Sequence, residues 1–206
     1  MRPPPPPSPP GPPPPPPFPP TPPSPPPPPP PPPSINLALV TANRTTYSSS
    51  VLDNNISLYG PQLAIDGIIP ANGSSESTFM SAANDTGRWL SIDFGELVTI
   101  NQIVYYNRRD CCGENVVGIS FRFGGASVAP DGYLPQHNTV VFNTGISTPS
   151  RTGAVLTVNL TTPRIGRFLS FHTSGSSPAA YVAELEAYGT PAGAQRRDMH
   201  VRQLPI

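Results

Sequence analysis

Asn107-Arg108-Arg109-Asp110-Cys111-Cys112 places guanidinium groups, a carboxylate and two adjacent thiols within six residues. A guanidinium is a planar fork of five N–H donors, suited to neighbouring oxygens such as those of a sugar diol. The adjacent cysteines leave three readings open: a bond to each other, two free thiols, or bridges to other chains. A bond between neighbours joins Cα atoms about 3.8 Å apart, below the usual disulfide span of about 4.4 to 6.8 Å. It also closes the shortest possible loop, so it stabilises little. Its use is to stiffen a turn and to present polarisable sulfur to an apolar ligand face. Catalytic chemistry is poorly provided for. His137 and His172 stand in unrelated settings with no nucleophile motif, and no acid pair suggests a glycosidase. A binding module is expected, and no enzyme. Five Asn-x-Ser/Thr sequons, at Asn43, Asn55, Asn72, Asn84 and Asn159, point to a secreted glycoprotein.

The elements that position these residues occupy only part of the chain. Of 35 prolines in 206 residues, 26 lie between Pro3 and Pro33. Residues 1–34 are therefore expected to be a disordered polyproline II stalk or linker, which cannot join a helix or sheet. At about 3.1 Å per residue the tract would extend roughly 95 Å. Docking of SH3-like or WW-like domains would need a cytosolic setting and a basic residue near the PxxP core, and only Arg2 is available. The Ser-Pro-Pro-rich runs resemble hydroxyproline-rich glycoproteins of plant and green-algal cell walls. Twelve acids balance twelve bases, every base is Arg, and no basic nucleic-acid footprint exists. No run of 18 apolar residues suggests a transmembrane helix, and Met-Arg-Pro-Pro lacks the apolar stretch of a signal peptide. The expectation is an extracellular or cell-wall protein in which Met1 is an internal point of a longer chain.

From Ile35 onward the sequence reads as short strands between turn signals: Leu97–Tyr106, Val117–Phe123, Thr139–Phe142, Ala154–Leu160, Arg167–His172 and Tyr181–Tyr188. No 12 residues hold a helical apolar period. This spacing predicts an all-β sandwich of Greek-key or jelly-roll kind, with residues 40–88 as long loops at one end. Such loops usually carry a sandwich's binding site. Ile100, Ile103, Val104, Ile119, Phe121, Phe168 and Leu169 are expected in the interior, together with Trp89, the sole tryptophan. Asp93 and Glu96 read as solvated turn formers, and residues 190–206 as a disordered tail.

The Asn-Arg-x-Asp-Cys-Cys run follows Arg88-Trp89-Leu90-Ser91-Ile92-Asp93-Phe94-Gly95, and the pair resembles the F-type lectins, or fucolectins, of the discoidin group. Asn36-Leu37-Ala38-Leu39, Ala64-Ile65-Asp66-Gly67 and Ala183-Glu184-Leu185-Glu186-Ala187-Tyr188-Gly189 agree in order, so the resemblance covers residues 35–189. It implies a discoidin-like, galactose-binding-like jelly-roll sandwich that binds fucose-containing or other glycans. In that family a His and two Arg hold fucose, beside a vicinal disulfide. Arg108 matches the first arginine, Asp110 the acid that orients it, and Cys111 and Cys112 the disulfide. Asn115 stands where the second arginine is expected and Ser81 where the histidine is, which implies altered or weakened fucose specificity. Tyr47, Tyr59 or Phe79 would supply an apolar wall. The resemblance also implies a structural Ca²⁺, a hard cation wanting six to eight oxygens. Asp66 and Glu184 would give carboxylates, Ser77 or Thr78 a hydroxyl, and Leu63, Ile68 and Ala183 carbonyls.

Overall fold

The computed structural model describes residues 1–4, 11, 34–39, 43–126, 137–145, 150–174 and 177–191. The chain divides into two units, residues 1–31 and 32–206. Most of the proline tract, and residues 192–206 of the expected tail, lie outside the described residues. The strands and the candidate sites all belong to the second unit.

Among the described residues nine strands form its frame: β1 (Ile35–Asn36), β2 (Thr45–Ser48), β3 (Phe79–Met80), β4 (Trp89–Tyr106), β5 (Ser120–Gly124), β6 (Thr139–Asn143), β7 (Val155–His172), β8 (Tyr181–Val182) and β9 (Glu184–Pro191). All pairings are antiparallel. The first half of β4 pairs with β2 and with the second half of β7, which continues through β5 to β6. The second half of β4 pairs with the first half of β7 and with β9, and β9 carries β1 on its far edge. Strands β4 and β7 thus run through both layers of a β-sandwich. A separate two-stranded ribbon, β3 with β8, lies off these layers.

The sequence reads a strand only from Leu97 in β4 and two separate strands, Ala154–Leu160 and Arg167–His172, in β7; the structure makes each one continuous 18-residue strand. Gly95, read as a turn, instead has φ +72° inside β4, at a register shift between Asp93 and Val98. A second shift lies between Ile100 and Gln102, whose partners on β7 are Arg164 and Asn159. The residues looped out there include Pro163, which has no N–H to give to a ladder. Irregularities of this kind bend a strand without ending it.

One hydrophobic cluster fills the space between the layers. It joins Leu90, Ile92 and Phe94 of β4 to Phe121, Phe123, Leu169 and Phe171, and to Ile103, Tyr105, Leu185 and Ala187. Tyr105 and Phe171 stack across it with ring centroids 5.1 Å apart. All seven residues expected inside are buried. Trp89 is not among them. With Leu90, Ile92 and Phe94 facing the core, the two-residue period of a strand turns Trp89 the other way, and it is half-buried. Asp93 also differs from expectation: it is buried and takes both Nε and Nη2 of Arg167, at 2.7 and 2.8 Å. Strand pairing across 74 residues brings that partner to it, and no local pattern announces this.

Between β2 and β3 the chain makes only short helical turns, Leu52–Asn54, Ile56–Tyr59 and Pro61–Ile65. Among the described residues no helix is long and apolar enough to cross a membrane. The last strand runs to Pro191, so Thr190 and Pro191 belong to the sheet and not to a tail.

Candidate functional site

Asn107 directly follows β4 and organises the turn there. It is fully buried, and its Nδ2 lies within hydrogen-bond distance of the carbonyls of Gly113 and Arg151 and the Ser150 hydroxyl, at 2.8 to 3.0 Å. Its Oδ1 accepts the backbone N–H of Arg108. The turn is packed close enough to demand glycine at position 113, where a Cβ would come within 2.5 Å of the Thr152 backbone. The Gly113 N–H donates to Thr152 Oγ1, and the Gly153 N–H to the Arg108 carbonyl.

On this base Arg108 is 9% exposed. Its Nε donates to Asp110 Oδ1 at 2.7 Å and its Nη2 to Oδ2 at 2.6 Å. The guanidinium lies over the Tyr181 ring, 4.4 Å from its centroid, and Nη1 approaches the Met80 sulfur at 3.8 Å. The hydrogen bonds from Arg108, joined by the N–H of Cys111, hold the Asp110 carboxyl at about 2 despite partial burial. Three of the five guanidinium N–H groups are thereby used, two on Asp110 and one on the Met80 sulfur, which leaves two for a ligand.

Cys111 and Cys112 are bonded to each other. Cys111 is exposed, and Cys112 sits in the left-handed region at φ +59°, a conformation that costs a non-glycine residue roughly 1 to 3 kcal/mol. Asn115 closes the short helical turn Gly113–Asn115. It is half-buried, with its N–H on the Cys112 carbonyl and its own carbonyl on the Ser177 hydroxyl. Ser81 continues the β3–β8 ribbon beside Met80. It is 2% exposed, its N–H donates to the Ala180 carbonyl and its hydroxyl accepts the Ala180 N–H. Of the expected wall residues, Phe79 is fully buried in the core and supplies none; Tyr47 and Tyr59 are half-buried. The aromatic ring that meets Arg108 is Tyr181, which faces Met80 in the ribbon register.

A second cluster lies at the same end of β4, where Tyr106 pairs with Glu184. Glu184 is 1% exposed, and its only hydrogen-bond donor among the described residues is the Gly67 N–H, 3.3 Å from each oxygen. Burial, with Asp66 and Glu186 nearby, pushes its carboxyl up to about 8. Asp66 accepts the Ser77 hydroxyl on Oδ2 and the Ile68 N–H on Oδ1. Ser77 reaches Asp66 from a left-handed conformation at φ +52°. Thr78 is buried and turns its hydroxyl to the Glu76 carbonyl. Leu63 lies in the helical turn just before Asp66, exposed Ile68 just after it, and buried Ala183 just before Glu184. None of the ion pairs among the described residues includes Asp66 or Glu184. An acid bonded to a hydroxyl, close enough to a second, buried acid to repel its charge, with no base paired to either among the described residues, fits a hard divalent cation.

Sequence reasoning misses Asn107 as the organiser of the turn, and Tyr181 and Met80 as the floor beneath Arg108. Asn107 is visible as the first residue of the run. Tyr181 and Met80 carry no signal, because they reach Arg108 through pairing of segments about 100 residues apart.

A sequence profile described as a NedA-like, galactose-binding domain of F5/F8 type C matches residues 63–171, more than half of the chain. Fucolectin-5 of Anguilla japonica is 31% identical over 115 residues, covering 54% of this chain and 55% of that protein. The chain thus spans little more than half the length of that relative. A fucolectin from Morone saxatilis serum superposes with a TM-score of 0.62 at 22% identity, over 77% of this chain and 50% of that one. A Streptococcus pneumoniae fucose binding module does so with 0.56 at 19% identity, over 75% and 97%. These two likenesses are of fold.

Proposed function

We infer that this chain, which belongs to the NedA-like, galactose-binding family of F5/F8 type C domains and carries an F-type lectin domain, is a calcium-dependent carbohydrate-binding module of an extracellular or cell-wall protein. The observation that carries the reading is the Arg108 fork, oriented by Asp110 over the Tyr181 ring and next to the Cys111–Cys112 pair. The two N–H donors that remain on a fixed cation suit adjacent sugar hydroxyls. The exposed disulfide and the aromatic edge suit the apolar face of the same ring. Fucose is the sugar suggested by the fucolectin relatives and by the fucose binding module. Asn115 and Ser81 replace charged partners by uncharged ones, and Ser81 is nearly covered. The specificity we propose is therefore weaker for fucose, or shifted to another sugar.

Ca²⁺ would be held by Asp66 and Glu184, with Ser77 and the carbonyls of Leu63, Ile68 and Ala183 completing an oxygen shell. Bound there it neutralises two carboxylates and ties the loop before β3 to the start of β9. The proline tract we assign as a spacer that holds the module away from its anchor. A glycan array of the full chain, run with Ca²⁺ and with chelator, tests the reading. Binding of a defined sugar set that is lost on chelation supports it; no binding to any sugar overturns it in favour of a structural or adhesive wall module.

A further inference from the structure

The five sequons look alike in sequence, and the fold separates them. Each sequon asparagine is exposed: Asn43, Asn55, Asn72, Asn84 and Asn159. Outside the sequons the asparagines are mixed: Asn107 and Asn138 are buried, Asn36 and Asn115 half-buried, and Asn54, Asn101 and Asn143 exposed. Asn159 lies inside β7 with its Oδ1 on Gln102 Nε2, and Asn55 uses its Oδ1 to cap the helical turn at Leu58. Asn72 is placed differently. It is a central residue of the turn Ala71–Ser74, closed by the Ser74 N–H on the Ala71 carbonyl, with Gly73 at φ +81°. The Gly73 N–H then donates to the carbonyl of Arg109 at 2.8 Å. The apex of this turn is thus fixed to the residue after Arg108, and among the five it is the sequon tied to the Arg108–Cys112 segment.

We propose that Asn72 carries an N-linked glycan which stands beside the Arg108 site and competes with external sugars for it. The proposal rests on the extracellular, glycan-binding reading above. The modification needs a glycosyltransferase and a lipid-pyrophosphate-linked oligosaccharide donor. The Asn72 amide nitrogen bonds to the anomeric carbon of the first sugar and loses one N–H proton to a base of the transferase. The bond from that carbon to the donor's pyrophosphate oxygen breaks, and the pyrophosphate leaves with the electron pair. The exposed carboxamide leaves room outside the fold for the attached chain. A ligand tethered this close has an effective concentration on the order of millimolar. Against a site of about 0.1 to 1 mM affinity, it lowers apparent affinity for a free sugar roughly two- to tenfold.

The test uses the full chain as its own cells release it. Digestion with a peptide N-glycosidase in ¹⁸O water, followed by peptide mapping, is expected to label Asn72. Asn72→Gln and, with the asparagine kept, Ser74→Ala should each bind immobilised Lewis b roughly two- to tenfold more tightly than the unaltered chain, while Asn43→Gln should match it. Label at other sequons but not at Asn72 overturns the inference and leaves the extracellular reading standing. Label at no sequon overturns both. Labelled Asn72 with equal affinities in all variants overturns the competition. Failure of every form, deglycosylated chain included, to bind Lewis b or any sugar on the array overturns the glycan-binding reading itself.

Discussion

At the end of β4 where Tyr106 pairs with Glu184, Arg108 is answered by Asp110, whereas Glu184 faces Asp66 with no base paired to either among the described residues. Both clusters are largely withdrawn from water, so each must neutralise its charge or bear a cost. The first does so within itself, through two charge-assisted hydrogen bonds and an aromatic ring. The second does not, and its carboxyl is pushed up to about 8 as a result. A cluster complete in itself is built to present donors outward; a cluster left with excess charge is built to receive a cation. On the proposed reading, the difference gives the sugar to one and the metal to the other.

The comparison breaks most visibly at Arg108. Arg108→Ala removes the fork and with it two charge-assisted bonds to a ligand, at about 1.5 to 3 kcal/mol each. The expected loss of sugar affinity is on the order of a hundredfold or more, with each 1.4 kcal/mol worth about tenfold. Calorimetric titration with the best sugar from the array measures it. An unchanged Kd would place the pocket elsewhere.

Glu184 sharpens the other half. Its folded carboxyl titrates near 8 against an ordinary 4.5, so between these values the folded chain holds a proton that the unfolded chain has lost. In chelator, stability is expected to fall as pH rises from about 4.5 to about 8, and saturating Ca²⁺ should flatten that slope. Asp110 acts in the opposite sense. Its depressed carboxyl contributes stability above about 3.8, which is lost as pH falls through about 2. Thermal melts across pH, with and without Ca²⁺, read both. A chelated melt as stable at pH 8 as at pH 5 would remove the argument for an uncompensated acid.

Glu184→Gln separates charge from packing at the same place. In chelator near pH 7 the neutral side chain is expected to stabilise the fold by roughly 1 to 3 kcal/mol, the cost of keeping a proton on Glu184 above its ordinary range. In Ca²⁺ it should destabilise, because a metal ligand is lost. At about 2 to 4 °C per kcal/mol the two shifts are measurable and opposite in sign. Shifts of the same sign in both buffers would mean that no cation binds there.

How far the sequence discloses this contrast depends on the distance over which each contact forms. Arg108, Asp110 and the cysteines lie within five residues, so the paired cluster is largely legible as a motif. The two acids of the other cluster are 118 residues apart. Composition and spacing leave each as an ordinary turn or strand residue, and only family resemblance joins them. The strand signals are legible wherever apolar and polar residues alternate, as in Ser120–Gly124. They fail where a bulge lets a strand run through Gly95 or past Pro163, because turn residues and bulge residues have the same composition. Trp89 is misplaced for a related reason: an apolar run does not say which of its two faces meets the core, and the register that decides this comes from β2 and β7.

Tyr181 gives the smallest effect and the finest test of whether the paired cluster is complete in itself. Its ring lies under the Arg108 guanidinium, and the ribbon of β3 and β8 fixes it there through the Met80–Tyr181 pair. The Tyr105 hydroxyl donates to its backbone carbonyl, so replacing the side chain leaves that anchor in place. Tyr181→Leu keeps an apolar floor and removes the quadrupole that attracts the cation, a contact worth about 0.5 to 2 kcal/mol. Sugar affinity is expected to fall by roughly twofold to thirtyfold, at 1.4 kcal/mol per decade, while the Ca²⁺ dependence of the melt stays unchanged. That dissociation matters more than the size of the loss. If Tyr181→Leu also changed the response to Ca²⁺, the two clusters would be coupled through the start of β9, and the division into a sugar site and a metal site would give way to a single composite one.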